Sequence, residues 1–287
     1  MNKYAGLVAC LLTFACSSAS FGAVVLIGDD FESYTIGSTP TNPNDGNANN
    51  WFFSGLSQNQ VVSGSSPNGE APNEKLLHVE GTSSSSFGRQ FAMQDGAATP
   101  NLTLSLSFKL QIQNLTGNDY TIRLMDNTLT SNNIPISFRI ASNGSVIMLT
   151  RETGPGTGKA VNVNNPQGSQ LTTDSWYQFT VNADLTAQTY SVDIMNMETG
   201  ASGSTDALYF YQNIHTLNAL TFSSTTALVP GVNWNLNDVN LTAVPEPGTA
   251  MTFVSGVLIV WLGRKSFLHS PPKGGDQTLV SKTATKM

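Results

Sequence analysis

The sequence predicts an all-β protein, an antiparallel two-sheet β-sandwich set between an export segment and a short apolar C-terminal helix. Three observations carry this reading. Apolar and polar residues alternate at period two through the middle of the chain, which marks half-buried antiparallel strands. No stretch of ten or more residues shows a helical, amphipathic period. Gly, Asn and Pro interrupt the apolar runs at short intervals, as in sandwiches built from many short strands.

The chain opens with Lys3 and the apolar run "AGLVACLLTFA", followed by the small residues of "CSSASFGA". A basic start, an apolar stretch too short to span a bilayer and a small-residue end predict a signal peptide over residues 1–23. Cys10 and Cys16, the two cysteines of the chain, both fall inside it. The mature chain then has neither disulfides nor a thiol nucleophile.

Strands are expected throughout residues 24–243. Short ones are predicted at Leu76–Val79 and Phe87–Met93. "NLTLSLSFKLQI" puts Leu102, Leu104, Leu106, Phe108, Leu110 and Ile112 on one face, and Tyr120, Ile122 and Leu124 repeat the pattern. Ile136, Phe138 and Ile140, the turn "SNGS" and residues 146–149 read as a hairpin. A second hairpin runs from Trp176–Val181 to Tyr190–Ile194, and further strands are predicted at Leu208–Tyr211, Leu220–Phe222 and Trp234–Leu241. "GTSSSS" and "GPGTGKAVNVNNPQGSQ" read as loops.

Composition narrows the function. Only 11% of the 287 residues are charged, yet 14 Phe, 7 Tyr and 4 Trp provide material for a packed core, unlike a disordered chain. Residues 24–243 hold seventeen acidic and seven basic groups, a net charge of −10 with no basic patch, which excludes nucleic-acid binding.

After this acidic stretch comes "VPEPGTAMTFVSGVLIVWLGRK", residues 244–265. Pro245 and Pro247 stop a strand or helix arriving from the domain. The apolar run Ala250–Gly263 is fourteen residues long, short against the ~20 of a spanning helix, and Arg264 and Lys265 close it. By the positive-inside bias, residues 266–287 form a basic cytoplasmic tail while the domain is exported. Proline motif, short apolar helix and basic end together resemble the PEP-CTERM sorting signal of Gram-negative bacteria. The resemblance implies that Pro245, Glu246, Pro247, Arg264 and Lys265 serve sorting: export machinery delivers an inner-membrane precursor, a membrane-embedded exosortase processes it, and the product reaches the cell surface or the extracellular polysaccharide matrix. The 22-residue tail departs from that family, whose members end soon after the basic residues.

Within the domain, "SNGSV" and "DSWYQFTVNADLTAQTYSVDI" resemble the central hairpins of laminin-G and concanavalin-like jelly rolls. The beginning "GDDFESYTIGSTP", "NNW" and the end "NWNLNDVNLT" resemble carbohydrate-binding jelly rolls. That resemblance implies first and last strands side by side, with acids at their ends holding a structural calcium. Asp29, Asp30, Glu32 and Asp238 are the candidate ligands for an ion that takes six to eight oxygens; turn capping by the same acids is the alternative.

Catalytic readings find little material. A glycosidase needs two flanking carboxylates, and in "SVDIMNME" Asp193 and Glu198 are present but Ser191 stands where the sandwich β-glucanases carry their first glutamate. His215 in "YQNIH" has no lyase partner motif, and His78 is the domain's one other histidine. Binding has better candidates. In "WFF" (Trp51 to Phe53) and "YFY" (Tyr209 to Tyr211) successive residues point to opposite faces, so each triple aims a ring outward. Trp51, Phe53, Tyr209 and Tyr211 are therefore candidate sugar-stacking residues, while Trp176 and Trp234 are assigned to the core. The expected function is that of a non-enzymatic surface or matrix protein binding polysaccharide; an extracellular polysaccharide hydrolase or lyase, and a purely structural matrix component, are the alternatives.

Overall fold

The computed structural model describes residues 23–40, 51–54, 56, 58–64, 74–81, 85–91, 102–126, 133–151, 158–162, 170–212, 217–226 and 232–245. Residues 1–22 of the expected signal peptide, His215 and the segment from Glu246 onward, with Pro247, Arg264 and Lys265, lie outside them. Among the described residues there is no helix long and apolar enough to cross a membrane.

The described residues form sixteen strands: β1 (Val24–Asp29), β2 (Trp51–Ser54), β3 (Gln58–Gly64), β4 (Glu74–Gly81), β5 (Ser85–Gln90), β6 (Leu102–Ile112), β7 (Asn118–Asp126), β8 (Asn133–Ile140), β9 (Val146–Arg151), β10 (Gly158–Asn162), β11 (Trp176–Asp184), β12 (Thr189–Asn196), β13 (Ser202–Ser204), β14 (Leu208–Tyr209), β15 (Ala219–Thr226) and β16 (Val232–Pro245). One sheet, A, runs β13-β12-β11-β6-β16-β4-β3, with β1 paired to β16 and β14 to β12. The other, B, runs β10-β9-β8-β7-β15-β5-β2. The pairings are antiparallel, and the chain passes from sheet to sheet as in double-sheet jelly rolls.

Period two decides which face each strand buries. Along β6, Leu102, Leu104, Leu106, Phe108, Leu110 and Ile112 are all buried and the residues between them are half-buried. Sheet B answers with Phe87, Tyr120, Ile122, Phe138 and Phe222. Phe222 stacks on Phe87 with centroids 4.9 Å apart and meets Phe108 edge-on at 5.4 Å, while Trp234 meets Tyr120 edge-on at 4.6 Å. These are the offset and T-shaped arrangements that ring quadrupoles favour.

The strands predicted from alternation are present, most with ends one to three residues away from the expected ones. Two expectations are corrected. Gly158–Asn162, read as loop, is a strand, because β9 supplies a full ladder of partners from Arg151 to Ile147. The strand from Phe87 ends at Gln90, and Met93 lies outside the described residues. Both tryptophans assigned to the core are buried, Trp234 at 1% and Trp176 at 5% exposure, with Trp176 opposite Gln111 on the side of β11 that faces away from the second sheet. β16 also carries Val244 and Pro245 into the sheet, two residues past the expected boundary at 243. Pro245 is its last residue, where a missing N–H costs the ladder nothing further.

Burial sets a pH limit on the fold. The phenols of Tyr120 and Tyr190 are almost fully enclosed, and burial pushes both well above the ordinary tyrosine range, because a phenolate would lose its water. Tyr190 donates its hydroxyl proton to the Leu149 carbonyl at 2.5 Å, and Tyr120 donates to the Asn114 carbonyl. With the folded-state values raised, the folded protein holds more protons than the unfolded chain above about pH 10, and stability falls there. Melting temperature is expected to be insensitive to these groups below about pH 9 and to drop steeply above about pH 10, with the phenolates of Tyr120 and Tyr190 appearing only as the protein unfolds. Ionisation of Tyr120 and Tyr190 in the still-folded state would contradict this.

Candidate functional site

The meeting of the domain's first and last strands, expected from the acids at either end of the domain, takes place: β1 lies beside β16, with Asp29 opposite Val239. The acids themselves are drawn to donors. Asp29 Oδ2 accepts hydrogen bonds from Trp51 Nε1 at 2.8 Å, Arg89 Nη1 at 2.9 Å and Tyr34 Oη at 3.1 Å, and Oδ1 accepts from the Phe31 N–H at 3.0 Å. Asp30 caps the Glu32 N–H, Glu32 accepts from the Lys75 N–H at 2.7 Å, and Asp238 pairs with Lys109 Nζ at 2.5 Å. Among the described residues, no group of three or more His, Cys, Asp or Glu is placed to hold a metal. Each of the four acids named as candidate calcium ligands thus has a hydrogen-bond or ion-pair partner of its own.

The aromatic triples follow the alternation, with one reversal of assignment. Trp51 points inward, 2% exposed, against Phe31 and Phe87, so it is a core residue whose indole N–H is used by Asp29. Phe53 is half-buried beside Phe87, and the outward ring is Phe52. That ring covers Gly88, where an added Cβ would lie 2.8 Å from its Cζ and 2.3 Å from the Leu220 carbonyl oxygen. In the second triple Phe210 is fully buried, and Tyr209 and Tyr211 are 46% and 37% exposed. Both sheets hold this segment: Phe210 N–H donates to the Gln188 carbonyl, Tyr211 N–H to the Pro135 carbonyl, and Thr150 Oγ1 to the Tyr209 carbonyl. Two tyrosines are thus presented outward on a fixed backbone.

A more extensive feature lies on the outward face of sheet A. The ladder register aligns Gln60 (β3), His78 (β4), Asn235 (β16), Gln111 (β6) and Trp176 (β11) in one row across five strands. His78 Nδ1 donates to Asn235 Oδ1 at 2.8 Å, Asn235 Nδ2 to Gln111 Oε1 at 2.6 Å, and Gln111 Nε2 to the Asp174 carbonyl at 2.7 Å. His78 Nε2 lies 3.2 Å from Glu80 Oε1. This row lines a cleft of about 560 Å³, with Gln58 and Gln113 also on its walls. Among the described residues, no carboxylate, lysine or arginine lines it. Each carboxamide brings two donors and an acceptor, of which the network uses only part. The row was missed from sequence because outward-facing Gln and Asn carry no motif; the signal available was their recurrence at the polar positions of the period-two pattern.

The carboxylates weighed for hydrolysis are not gathered there. Asp193 lies on β12 opposite Thr180 and Ser204, and Glu198 accepts from Ser175 Oγ at 3.1 Å in the turn that follows β12.

No protein-family model and no curated protein matches the chain. Among solved structures, a protein of unknown function from Shewanella oneidensis MR-1 shares 17% identity, covering 87% of this chain and 97% of its own, with a TM-score of 0.50. That likeness supports the two-sheet fold. Arcelin-5, a lectin-like defense protein from Phaseolus vulgaris, is 9% identical over 72% of this chain and 97% of its own (TM-score 0.45). The catalytic domain of a glycoside hydrolase family 131 protein from Coprinopsis cinerea is 10% identical over 64% and 76% (TM-score 0.43).

Proposed function

We propose that this chain is an exported protein, sorted through its PEP-CTERM-like C-terminus to the cell surface or extracellular matrix, and that its sandwich binds a neutral polysaccharide without cleaving it. The observation that carries the binding reading is the carboxamide row of Gln60, Asn235 and Gln111, with His78 and Trp176, along one cleft. Sugar hydroxyls donate and accept at once, and carboxamides match them on both counts. Strands stand about 4.8 Å apart, so a row over five of them extends about 19 Å, enough for an oligosaccharide rather than a single ring. Glu80 beside the cleft and the domain charge of −10 disfavour a polyanion. The described lining offers no carboxylate pair to serve as general acid and nucleophile, which supports the non-enzymatic reading. Tyr209 and Tyr211 offer a second, stacking surface on the same domain.

Screening of the secreted domain against neutral and acidic glycans tests this reading. Binding to a neutral polysaccharide is expected, with no release of reducing ends. Replacing Gln60 or Gln111 by Ala removes one or two hydrogen bonds to the ligand, about 1–1.5 kcal/mol each, and weakens binding roughly tenfold. Absence of glycan binding, or binding untouched by both substitutions, would overturn the assignment of the cleft; enzyme-like release of sugar would overturn the non-enzymatic reading.

A further inference from the structure

Next to the carboxamide row, on the same face of sheet A, a lysine, an asparagine and two carboxylates stand together in a manner that binding does not explain. Lys109 on β6 and Asn237 on β16 are direct cross-strand partners. Side chains so placed have Cβ atoms about 4.5–5.5 Å apart. Asn237 is 1% exposed, and the Lys109 side chain is 14% exposed.

The Asn237 carboxamide is polarised from both ends. Its Oδ1 accepts the backbone N–H of Asp238 at 2.8 Å, and its Nδ2 donates to Glu74 Oε1 at 2.9 Å. The other Glu74 oxygen, Oε2, is buried with no hydrogen-bond partner among the described residues. The register shifts just after Asn237, a bulge that places Asp238 at a φ of 49°. A non-glycine residue takes that conformation at a cost, and bulges of this kind re-aim side chains. Here the bulge brings the Asp238 carboxylate to 2.5 Å from Lys109 Nζ and its N–H onto the carboxamide oxygen.

We infer that Lys109 and Asn237 are the partners of an intramolecular isopeptide cross-link that joins β6 to β16. Each component the reaction needs is present: an amine nucleophile, a carboxamide electrophile, an N–H at the oxygen that becomes the oxyanion, and carboxylates to move protons. The Lys109 ammonium passes one proton to Asp238. Its Nζ then attacks Asn237 Cγ, and Oδ1 takes the negative charge against the Asp238 N–H. As the carbonyl re-forms, the Cγ–Nδ2 bond breaks; Glu74 transfers a second proton from Nζ to the departing nitrogen, which leaves as ammonia and picks up the proton held by Asp238. Ammonium and carboxamide become a secondary amide and an ammonium ion, both carboxylates end as they began, and no oxidant or reductant is involved.

The bond would tie the strand leading into Pro245 to the centre of the sheet, and its existence does not depend on whether the cleft binds sugar. Intact mass and tryptic mapping of the purified full chain test it. The expected result is a species lighter by one ammonia, with the peptide around Lys109 uncleaved at that lysine and covalently joined to the peptide containing Asn237. Lys109→Arg and Glu74→Gln should restore the full mass, and circular dichroism verifies that each is folded. The unmodified mass in the wild-type protein would overturn the inference. So would an ammonia loss that persists in Lys109→Arg on a linear peptide, since that is cyclisation of Asn237 onto its own backbone.

Discussion

Replacing Asp29 by alanine is expected to lower the stability of the sandwich by about 3–5 kcal/mol, the cost of removing one partner from a buried ion pair. The side chain of Asp29 is 5% exposed and that of Arg89 13%, so water does not substitute for the lost carboxylate. Four donors depend on it: the Arg89 guanidinium, the Trp51 indole, the Tyr34 hydroxyl and the Phe31 N–H. Asp29 ends β1 and its donors come from the turn after it, from β2 and from β5, so the carboxylate fastens the edge of sheet B to a strand of sheet A. Asparagine keeps one acceptor but turns an NH₂ toward the remaining donors, and should recover little of the loss. For a domain of this size the alanine variant should melt roughly 6–20 °C lower. Urea denaturation and calorimetry measure both quantities, and a loss below about 1 kcal/mol would mean that the donors find other acceptors.

This junction shows where sequence reasoning reaches its limit. That the two ends of the domain come together was legible, and β1 does pair with β16. Which partner each acid takes was not, because Trp51 and Arg89 lie 22 and 60 residues from Asp29 and their approach depends on how the sheets close. Period two identified β6 to the residue, since its inward positions are uniformly apolar. The same rule failed for β10, whose Gly, Asn and Pro surroundings read as loop while its pairing with β9 is supplied from outside the segment. It told correctly that alternate rings of "YFY" diverge, but for "WFF" it could not tell which parity faces the core. The carboxamide cleft and the Lys109–Asn237–Glu74 group combine residues from several strands, and only the register brings them together.

Replacing Pro245-Glu246-Pro247 by three alanines is expected to leave export intact and to abolish the mature surface form, leaving a full-length membrane-bound precursor. The expectation combines the proposed sorting role with the physics of the segment that follows. A fourteen-residue apolar run is short against the ~30 Å hydrocarbon core, so it holds a protein in the bilayer marginally, by thinning the membrane or drawing in its flanks. Such a segment suits a temporary stop, and Arg264 and Lys265 retain the tail on the cytoplasmic side while it lasts. β16 ends at Pro245, and the compact unit that contains the strands ends at Glu246. Cleavage within or after the motif would therefore remove no residue whose side chain packs in the core, and the released sandwich should melt at the same temperature as the sandwich in the precursor. Alanines in place of the prolines would restore two backbone N–H groups and let secondary structure continue across the junction, removing the rigid, extended site that a processing enzyme could grip. Fractionation of cells producing the wild-type and triple-alanine chains, with mass spectrometry of the surface protein, reads the outcome directly. The wild type should end near the motif and lack residues 266–287. Mature surface protein that still carries that tail, or triple-alanine chains processed like the wild type, would instead make residues 244–265 a plain membrane anchor.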